Sequence, residues 1–284
     1  MYITEKKMPV KLIMTDLDGT LFQDDHETIT SRNISALKKA HDKGIKICVA
    51  SGRTRFLVKD ALMQLPFADF LSTSNGAMTY DLRKGTVVDS NLIPGEKAKK
   101  ILGMINERNL QHEIYFNGEC YMDCHTDLSS YYENIPHQYR DILRNAAIIV
   151  DDLSEIIGNQ GVEKISIMYI VGDVLDDYLP RLYALGNLNT TSSIKDNLET
   201  NDISANKGTS LKALCNYLGI SPDEVMTFGD SGNDREMLSI SGYSYAVDNA
   251  WDDTKEKAKY ITASNMEDGV AIAIEKYLET ENDI

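Results

Sequence analysis

The hydrophobic residues of this chain come in short runs that end in polar residues, and this pattern predicts buried strands. Residues 10–14 form the first run, and Thr-Asp-Leu-Asp-Gly-Thr follows it directly. Two further apolar runs, Ile45 to Ala50 and Phe70 to Thr73, alternate with segments of helical spacing such as residues 34–40. Strands that alternate with helices in this way predict a parallel sheet with right-handed crossovers.

The pattern changes near residue 80, where short paired strands replace the alternation. The clearest pair is His112 to Phe116 and Glu119 to Asp123, which Asn117-Gly118 joins as a predicted type I′ hairpin. From about residue 200 the parallel pattern returns, with a helix over Lys207 to Leu218 and a strand over Val225 to Phe228. The middle of the chain is therefore predicted to be an antiparallel α+β insertion after the third parallel strand.

These patterns predict an α/β fold with two domains. The first is a Rossmann-like, doubly wound parallel sheet built from residues 1–84 and 197–284. The second is an inserted α+β domain of residues 85–196. A chain of 284 residues is long enough for two modest domains with cores of their own.

Polar side chains follow several of the predicted parallel strands, where ligands of such sheets gather. They are Asp16 and Asp18, Ser51, Asn75, and the group Asp230, Asn233 and Asp234. Two carboxylates one residue apart repel unless a cation or a shared proton relieves them, and Mg²⁺ binds such oxygen ligands. Lys207, near a helix start, is placed to hold an anion. An Asp can also accept a phosphoryl group, so the constellation predicts phosphoryl transfer.

Each of these signals has a structural alternative when it is taken alone. Ser51-Gly52-Arg53 is also typical of a helix N-cap, Lys207 of a surface lysine, and Asn75-Gly76 of a turn. The run that begins at Asp230 resembles a helix start with acidic residues placed for the dipole. Only the order and spacing of all the signals together favour a shared catalytic site.

Charge and cysteine content restrict the partners and the location. The net charge of −15 argues against nucleic acid, whose phosphates bind clustered Lys and Arg. The four cysteines fit no disulfide or zinc spacing. Residues 1–7 lack the apolar core of a signal peptide, and no stretch approaches the ~18 apolar residues of a membrane span. We expect a cytoplasmic protein with no membrane partner, and the sequence predicts no particular oligomeric state.

Four sequence motifs resemble those of the haloacid dehalogenase superfamily, in the same order. They are residues 16–20 (DLDGT), Ser51-Gly52-Arg53, Lys207-Gly208 and residues 229–234 (GDSGND). Asn75-Gly76-Ala77, the long insertion after it, and residues 265–270 (NMEDGV) are similar to the Cof-type phosphatases of that superfamily, which carry an inserted C2-type cap domain. The middle region matches only in its length and α/β pattern.

The resemblance implies a role for each matching residue. Asp16 would be the nucleophile and a Mg²⁺ ligand, and Asp18 the general acid and base, with its backbone carbonyl on the metal. Asp230 would ligate Mg²⁺, and Asp234 would be a further ligand or orient the metal shell. The implied phosphate-binding residues are Ser51, Gly52, Lys207 and Asn233, with Asn75 and Arg53 as further candidates.

The function implied is Mg²⁺-dependent hydrolysis of a small phosphate monoester through an aspartyl-phosphate. The expected partner is a small phosphorylated metabolite, either a sugar phosphate or a cofactor-like phosphate, selected by the cap. A phosphotransferase or phosphomutase of the same fold, and a non-catalytic module that senses a phosphate ligand, are the alternatives. The loop Val247-Asp248-Asn249-Ala250 departs from the family pattern by its extra carboxylate.

Overall fold

The computed structural model describes residues 8–124, 140, 144, 147–192 and 196–281. The strands and helices of this part of the chain are, in order, β1 (Leu12–Thr15), α1 (Ser31–Asp42), β2 (Lys46–Ala50), α2 (Lys59–Gln64), β3 (Phe70–Thr73), β4 (Met78–Asp81), β5 (Thr86–Ser90), α3 (Gly95–Glu107), β6 (His112–Phe116), β7 (Glu119–Asp123), β8 (Ile148–Val150), α4 (Leu153–Ile157), β9 (Lys164–Met168), α5 (Gly172–Ala184), β10 (Leu188–Thr191), β11 (Asn197–Asp202), α6 (Lys207–Leu218), β12 (Val225–Gly229), α7 (Arg235–Ile240), β13 (Tyr243–Ala246), α8 (Asp252–Lys255), β14 (Tyr260–Ile261) and α9 (Gly269–Glu281). None of these helices is long and apolar enough to cross a membrane.

The chain divides into two compact units. The first consists of Met1–Gly52, Lys59–Asp89 and Asn206–Ile284, and the second of Arg53–Val58 and Ser90–Ala205. The first unit contains an eight-stranded sheet in the order β14-β13-β12-β1-β2-β3-β4-β5. Its strands from β14 to β3 are parallel, and β4 is antiparallel to β3. This sheet confirms the predicted parallel α/β fold.

The core of the first unit follows from the apolar runs of the sequence. Leu12 and Met14 of β1 and Cys48 of β2 are fully buried, and they pack in one cluster with Leu211 and Leu214 of α6. The apolar side chains that gave α6 its helical spacing therefore face the sheet. Because strands that are covered by helices on both faces bury every side chain, β1, β3 and β12 are buried along their whole length.

The second unit contains a six-stranded sheet in the order β10-β11-β9-β6-β7-β8, which is antiparallel except for the pair β7-β8. Asn117 and Gly118 have φ values of 52° and 78° between β6 and β7. A type I′ turn requires positive φ at both positions. One face of the sheet is apolar: Ile114, Ile165 and Ile167 pack with residues of α3, α4 and α5.

The units differ in three places from the division predicted from the sequence, which assigned residues 53–58 and 197–205 to the first domain and residues 85–89 to the inserted domain. Strand β11 pairs with β9 and β10 and so lies in the second unit. The structure also divides residues 55–64 into two parts, a 3-10 turn over Arg55–Val58 and then α2. Phe56 explains the break, because its N–H donates to the Gly118 carbonyl at 3.2 Å and its ring stacks on Tyr115.

Candidate active site

The polar residues predicted at strand ends lie at one edge of the parallel sheet. Strands β12, β1, β2 and β3 are neighbours in the sheet, and Asp16, Ser51 and Asp230 each follow the last residue of one of them. The backbone hydrogen bonds between neighbouring strands continue into these residues. The Asp16 N–H donates to the Phe228 carbonyl at 3.0 Å, and the Ser51 N–H donates to the Ser72 carbonyl at 2.9 Å. The sheet thus fixes the backbone of the site.

Lys207 is the first residue of α6 and is fully buried, so it is not a surface lysine. Asn206 caps this helix, because its side chain accepts a hydrogen bond from the Thr209 N–H at 2.8 Å. The Lys207 ammonium donates to Asp16 Oδ1 at 2.5 Å and to Asp234 Oδ1 at 2.6 Å. Asn206 therefore determines where α6 begins. Because Lys207 is the first residue of this helix, its ammonium reaches two carboxylates.

Asp234 is fully buried and organises the residues around it. Its Oδ2 accepts hydrogen bonds from the N–H groups of Asp230 and Ser231, at 2.9 and 3.1 Å. Since Oδ1 accepts from Lys207, both oxygens already have protein donors. Asp230 Oδ1 in turn accepts from the Thr20 hydroxyl at 3.2 Å, a contact that the sequence did not predict.

Three carboxylates of the site share one ammonium. Oxygens of Asp16, Asp230 and Asp234 lie within 4.8 Å of one another. Burial and the neighbouring carboxylates raise the pKa of Asp16, against the opposing effect of Lys207. Burial and Asp234 raise the pKa of Asp230 to about 7. Burial alone would lower the pKa of Lys207, but Asp16 and Asp234 outweigh it and raise that pKa, so the ammonium stays charged. When all four groups are ionised, two negative charges have no counter-charge.

A second group of polar residues adjoins this cluster. The Asn233 side-chain amide donates to Asn75 Oδ1 at 3.0 Å, and the Asn75 N–H donates to the Ser51 carbonyl at 3.2 Å. Asn75 has left-handed backbone geometry, with φ 59° and ψ 27°. A Cβ on Gly52 would lie 2.8 Å from Asn75 Oδ1, so a larger residue does not fit there without a shift. Arg53 belongs to the second unit, and its part in phosphate binding stays a prediction.

The backbone of residues 16–20 is held by a residue far away in sequence. Gly19 has φ 74°, and a Cβ there would lie 2.6 Å from Asp230 Oδ2. The Asn249 side-chain amide donates to the Gly19 carbonyl at 2.7 Å. The sequence drew attention to this loop through Asp248, but the Asp248 side chain is 71% exposed and lies 3.9 Å from Lys255. The supporting residue is its neighbour Asn249, for which the sequence offered no signal.

The second unit has a polar sheet face that the sequence did not predict. We call it the polar face: Glu113 and Tyr115 on β6, Lys164 on β9 and Glu199 on β11. All four side chains are buried. The Lys164 ammonium lies 3.0 Å from Glu199 Oε1 and 4.9 Å from the Tyr115 ring centre, and the Tyr115 hydroxyl donates to Glu113.

Glu113 is the unusual member of the polar face. Burial raises its pKa to about 7, against the opposing effects of Tyr115 and Lys164. Within the part of the chain that the structure describes, Glu113 Oε1 has no hydrogen-bond partner. Buried polar atoms are rarely left in this state, and such an atom is suited to a donor from a ligand.

Comparisons with known proteins identify the family of the chain. The sequence model of the haloacid dehalogenase-like hydrolases matches residues 13–274. A Bacillus subtilis 5-amino-6-(5-phospho-D-ribitylamino)uracil phosphatase is 29% identical over 98% of this chain and 100% of its own length. The Escherichia coli pyridoxal phosphate phosphatase is 25% identical over 95% of this chain and 100% of its own length.

A solved structure of similar fold extends the comparison. A haloacid dehalogenase-like hydrolase from Bacteroides thetaiotaomicron superposes with a TM-score of 0.80 at 29% identity, covering 94% of this chain and 99% of that one. The likeness therefore includes both the parallel core and the insertion. The chain belongs to the haloacid dehalogenase-like hydrolases, and it is a phosphatase.

Proposed function

We propose that the protein hydrolyses a small phosphate monoester in two steps, with Asp16 as the nucleophile. In the first step an Asp16 oxygen bonds to phosphorus, and the bond between phosphorus and the leaving oxygen breaks while Asp18 protonates that oxygen. In the second step Asp18 takes a proton from water, whose oxygen displaces Asp16 from phosphorus. The observation that carries the proposal is the buried ammonium of Lys207, which lies 2.5 Å from Asp16 and 2.6 Å from Asp234. Oxygens of these two carboxylates and of Asp230 lie within 4.8 Å of one another.

The donor set fits Mg²⁺. The ion prefers carboxylate and carbonyl oxygens, and the cluster has two negative charges without a counter-charge. Asp16, Asp230 and the backbone carbonyl of Asp18 would hold it, whereas Asp234, whose oxygens accept from Lys207 and two backbone N–H groups, would orient the cluster. When bound, Mg²⁺ offsets negative charge on the phosphoryl group.

The remaining residues of the site bind and orient the phosphate. Lys207 stays protonated at neutral pH because its pKa is raised by two carboxylates, so it is an electrostatic partner and not a base. The Ser51 hydroxyl and the Asn233 amide are the neutral groups proposed to bind phosphate oxygens. Asn75 holds Asn233 in place through the 3.0 Å hydrogen bond.

We propose that the second unit selects the leaving group through the polar face. The relatives named above act on a phosphorylated ribitylaminouracil and on pyridoxal phosphate. For this chain we infer a metabolite of similar size that offers hydroxyl or N–H donors, because Glu113 Oε1 and Glu199 are acceptors. With two carboxylates and one ammonium, the polar face disfavours leaving groups that carry a further negative charge.

The chemistry is tested by a screen of phosphate monoesters with Mg²⁺ and with EDTA. The variants are Asp16→Asn and its matched control Asp248→Asn, the same change at an exposed position. We expect turnover in the native chain and the control, and none with EDTA or with Asp16→Asn. Release of phosphate without metal, or full activity of Asp16→Asn, would refute the mechanism. Transfer of the phosphoryl group to an added alcohol instead of water would establish the phosphotransferase alternative.

Leaving-group selection is tested with Glu199→Gln, which removes the charge that pairs with Lys164. We expect relative kcat/KM values among metabolite phosphates to change by about tenfold, with p-nitrophenyl phosphate changed much less. Glu155→Gln, at an exposed position of α4, is the control. An unchanged order of substrates in Glu199→Gln would contradict a role of the polar face in selection.

A further inference from the structure

Residues 22–29 form a closed loop that the proposed chemistry has not used. The Gln23 N–H donates to the Thr28 carbonyl at 2.9 Å, and the His26 N–H donates to the Gln23 carbonyl at 2.9 Å. The Asp25 carboxylate accepts from the Thr28 N–H at 2.8 Å. The loop therefore satisfies much of its own backbone, which restricts it to one shape.

This loop is also tied to the rest of the first unit on both sides. The buried Asn265 amide donates to the Phe22 carbonyl at 3.0 Å. On the other side, Gln64 Oε1 accepts from the Ile29 N–H at 2.9 Å, and Gln64 Nε2 donates to the Glu27 carbonyl at 2.8 Å. Contacts from α2 and from the turn before α9 thus hold the two ends of the loop in place.

His26 is directed at Asp18 by this loop. Its φ of 58° is left-handed, a geometry that costs a residue with a Cβ about 1 kcal/mol. His26 Nδ1 lies 3.0 Å from Asp18 Oδ1, and the two side chains are 40% and 32% exposed. A pair this exposed contributes little to stability, so the contact between His26 and Asp18 is not what holds the loop in shape, which its other hydrogen bonds already do.

We propose that His26 is a positioning residue that orients the Asp18 carboxyl for proton transfer, an inference that rests on the proposed role of Asp18. A donor on Oδ1 fixes the plane of the carboxyl group and hence the direction of Oδ2. In the first step the proton moves from Asp18 to the leaving oxygen, and in the second a proton from water returns to Asp18. His26 keeps its own protons throughout and does not touch the substrate.

Two variants separate this role from a merely structural one. Gly and Asn both tolerate positive φ, so His26→Gly and His26→Asn keep the backbone of the loop. Only Asn retains a side-chain donor close to the position of Nδ1. We therefore expect the loss caused by Gly to be largely restored by Asn.

The measurement is kcat/KM for an alkyl phosphate and for p-nitrophenyl phosphate. The parameter kcat/KM includes the step in which the leaving group departs, so it reports on the protonation of that group. An alkoxide needs a proton to leave, whereas p-nitrophenolate does not. We expect His26→Gly to lower kcat/KM for the alkyl ester by about 10- to 100-fold and to change the aryl ester by less than about threefold. In an Asp18→Asn background, His26→Gly should not change the ratio of kcat/KM for the alkyl ester to kcat/KM for the aryl ester any further.

Equal losses for both esters, or no recovery with Asn, would refute the positioning role. Unchanged kcat/KM for the alkyl ester in His26→Gly would refute it as well. The proposed function fails on a separate observation, which is full alkyl phosphatase activity of Asp16→Asn.

Discussion

The metal-free protein should lose stability as the pH rises, and Asp230→Asn should abolish the part of that loss that Asp230 contributes. In the folded state the pKa of Asp230 is about 7 instead of 3.8, because the carboxyl is largely buried beside Asp234. A group with a raised folded-state pKa contributes stability that is fully present below its unfolded pKa. That contribution disappears as the pH rises through the folded-state pKa. The window for Asp230 is therefore from about pH 4 to about pH 7.

The size of the effect follows from the difference between the two pKa values. A difference of about 3 corresponds to about 4 kcal/mol, and partial solvent access to Asp230 reduces it to between about 2 and 4 kcal/mol. In EDTA, the free energy of unfolding of the native chain should thus fall between pH 4 and 7 relative to that of Asp230→Asn. Above about pH 8, roughly one unit past its folded-state pKa, the contribution of Asp230 should stay constant.

Chemical denaturation in EDTA at several pH values, followed by circular dichroism, measures this difference. Asp248→Asn is the control, and its curve should follow that of the native chain. Saturating Mg²⁺ should stabilise the native chain at pH 7.5, by about 2.7 kcal/mol at a hundred times the Kd, and should stabilise Asp230→Asn less. Parallel pH curves for the native chain and Asp230→Asn, or no stabilisation by Mg²⁺, would refute the account of the carboxylate cluster.

Two further substitutions test the carboxylate cluster, one through the charge of Lys207 and one through the close approach of Gly19 to Asp230. Lys207→Met leaves Asp16 without its buried counter-charge, so we expect a loss of at least about 100-fold in kcat and a cost of about 3 kcal/mol in unfolding free energy without metal. Lys212→Met, at an exposed position of the same helix, should change neither in phosphate-release and denaturation assays. Gly19→Ala adds strain at φ 74° and a Cβ that would lie 2.6 Å from Asp230 Oδ2, whereas Gly44→Ala adds strain at φ 91° with no heavy atom within 4 Å. Both should destabilise by about 1 kcal/mol, but only Gly19→Ala should also lower kcat and weaken Mg²⁺ binding; equal kinetics for the two would contradict the close approach.

The sequence by itself determined the elements that have strong local signals. Apolar runs identified β1, β2, β3 and β12, and helical spacing identified α6, since side-chain periodicity is a property of neighbouring residues. Because parallel strands end at a common edge, the sequence also predicted that Asp16, Ser51, Asn75 and Asp230 would come together. The order of the motifs then identified the family.

Tertiary structure alone decided to which unit the segments with weak local sequence patterns belong. Strand β11 has the sequence Asn-Leu-Glu-Thr-Asn-Asp, which shows little apolar alternation, and its place depends on pairing with β9 and β10. Residues 55–58 directly precede α2 of the first unit, but contacts of Phe56 with Gly118 and Tyr115 assign them to the second unit. In both cases pairing with residues far along the chain outweighs local propensity.

Tertiary structure also decided which residues support the catalytic groups. Asn249 holds the Gly19 carbonyl from 230 residues away, and Asn265 holds the loop that carries His26 from 243 residues away. No periodicity or spacing predicts such contacts, because they form only after distant segments have packed. The sequence thus predicted the chemistry proposed for Asp16 and Asp18, whereas packing decided how their geometry is held.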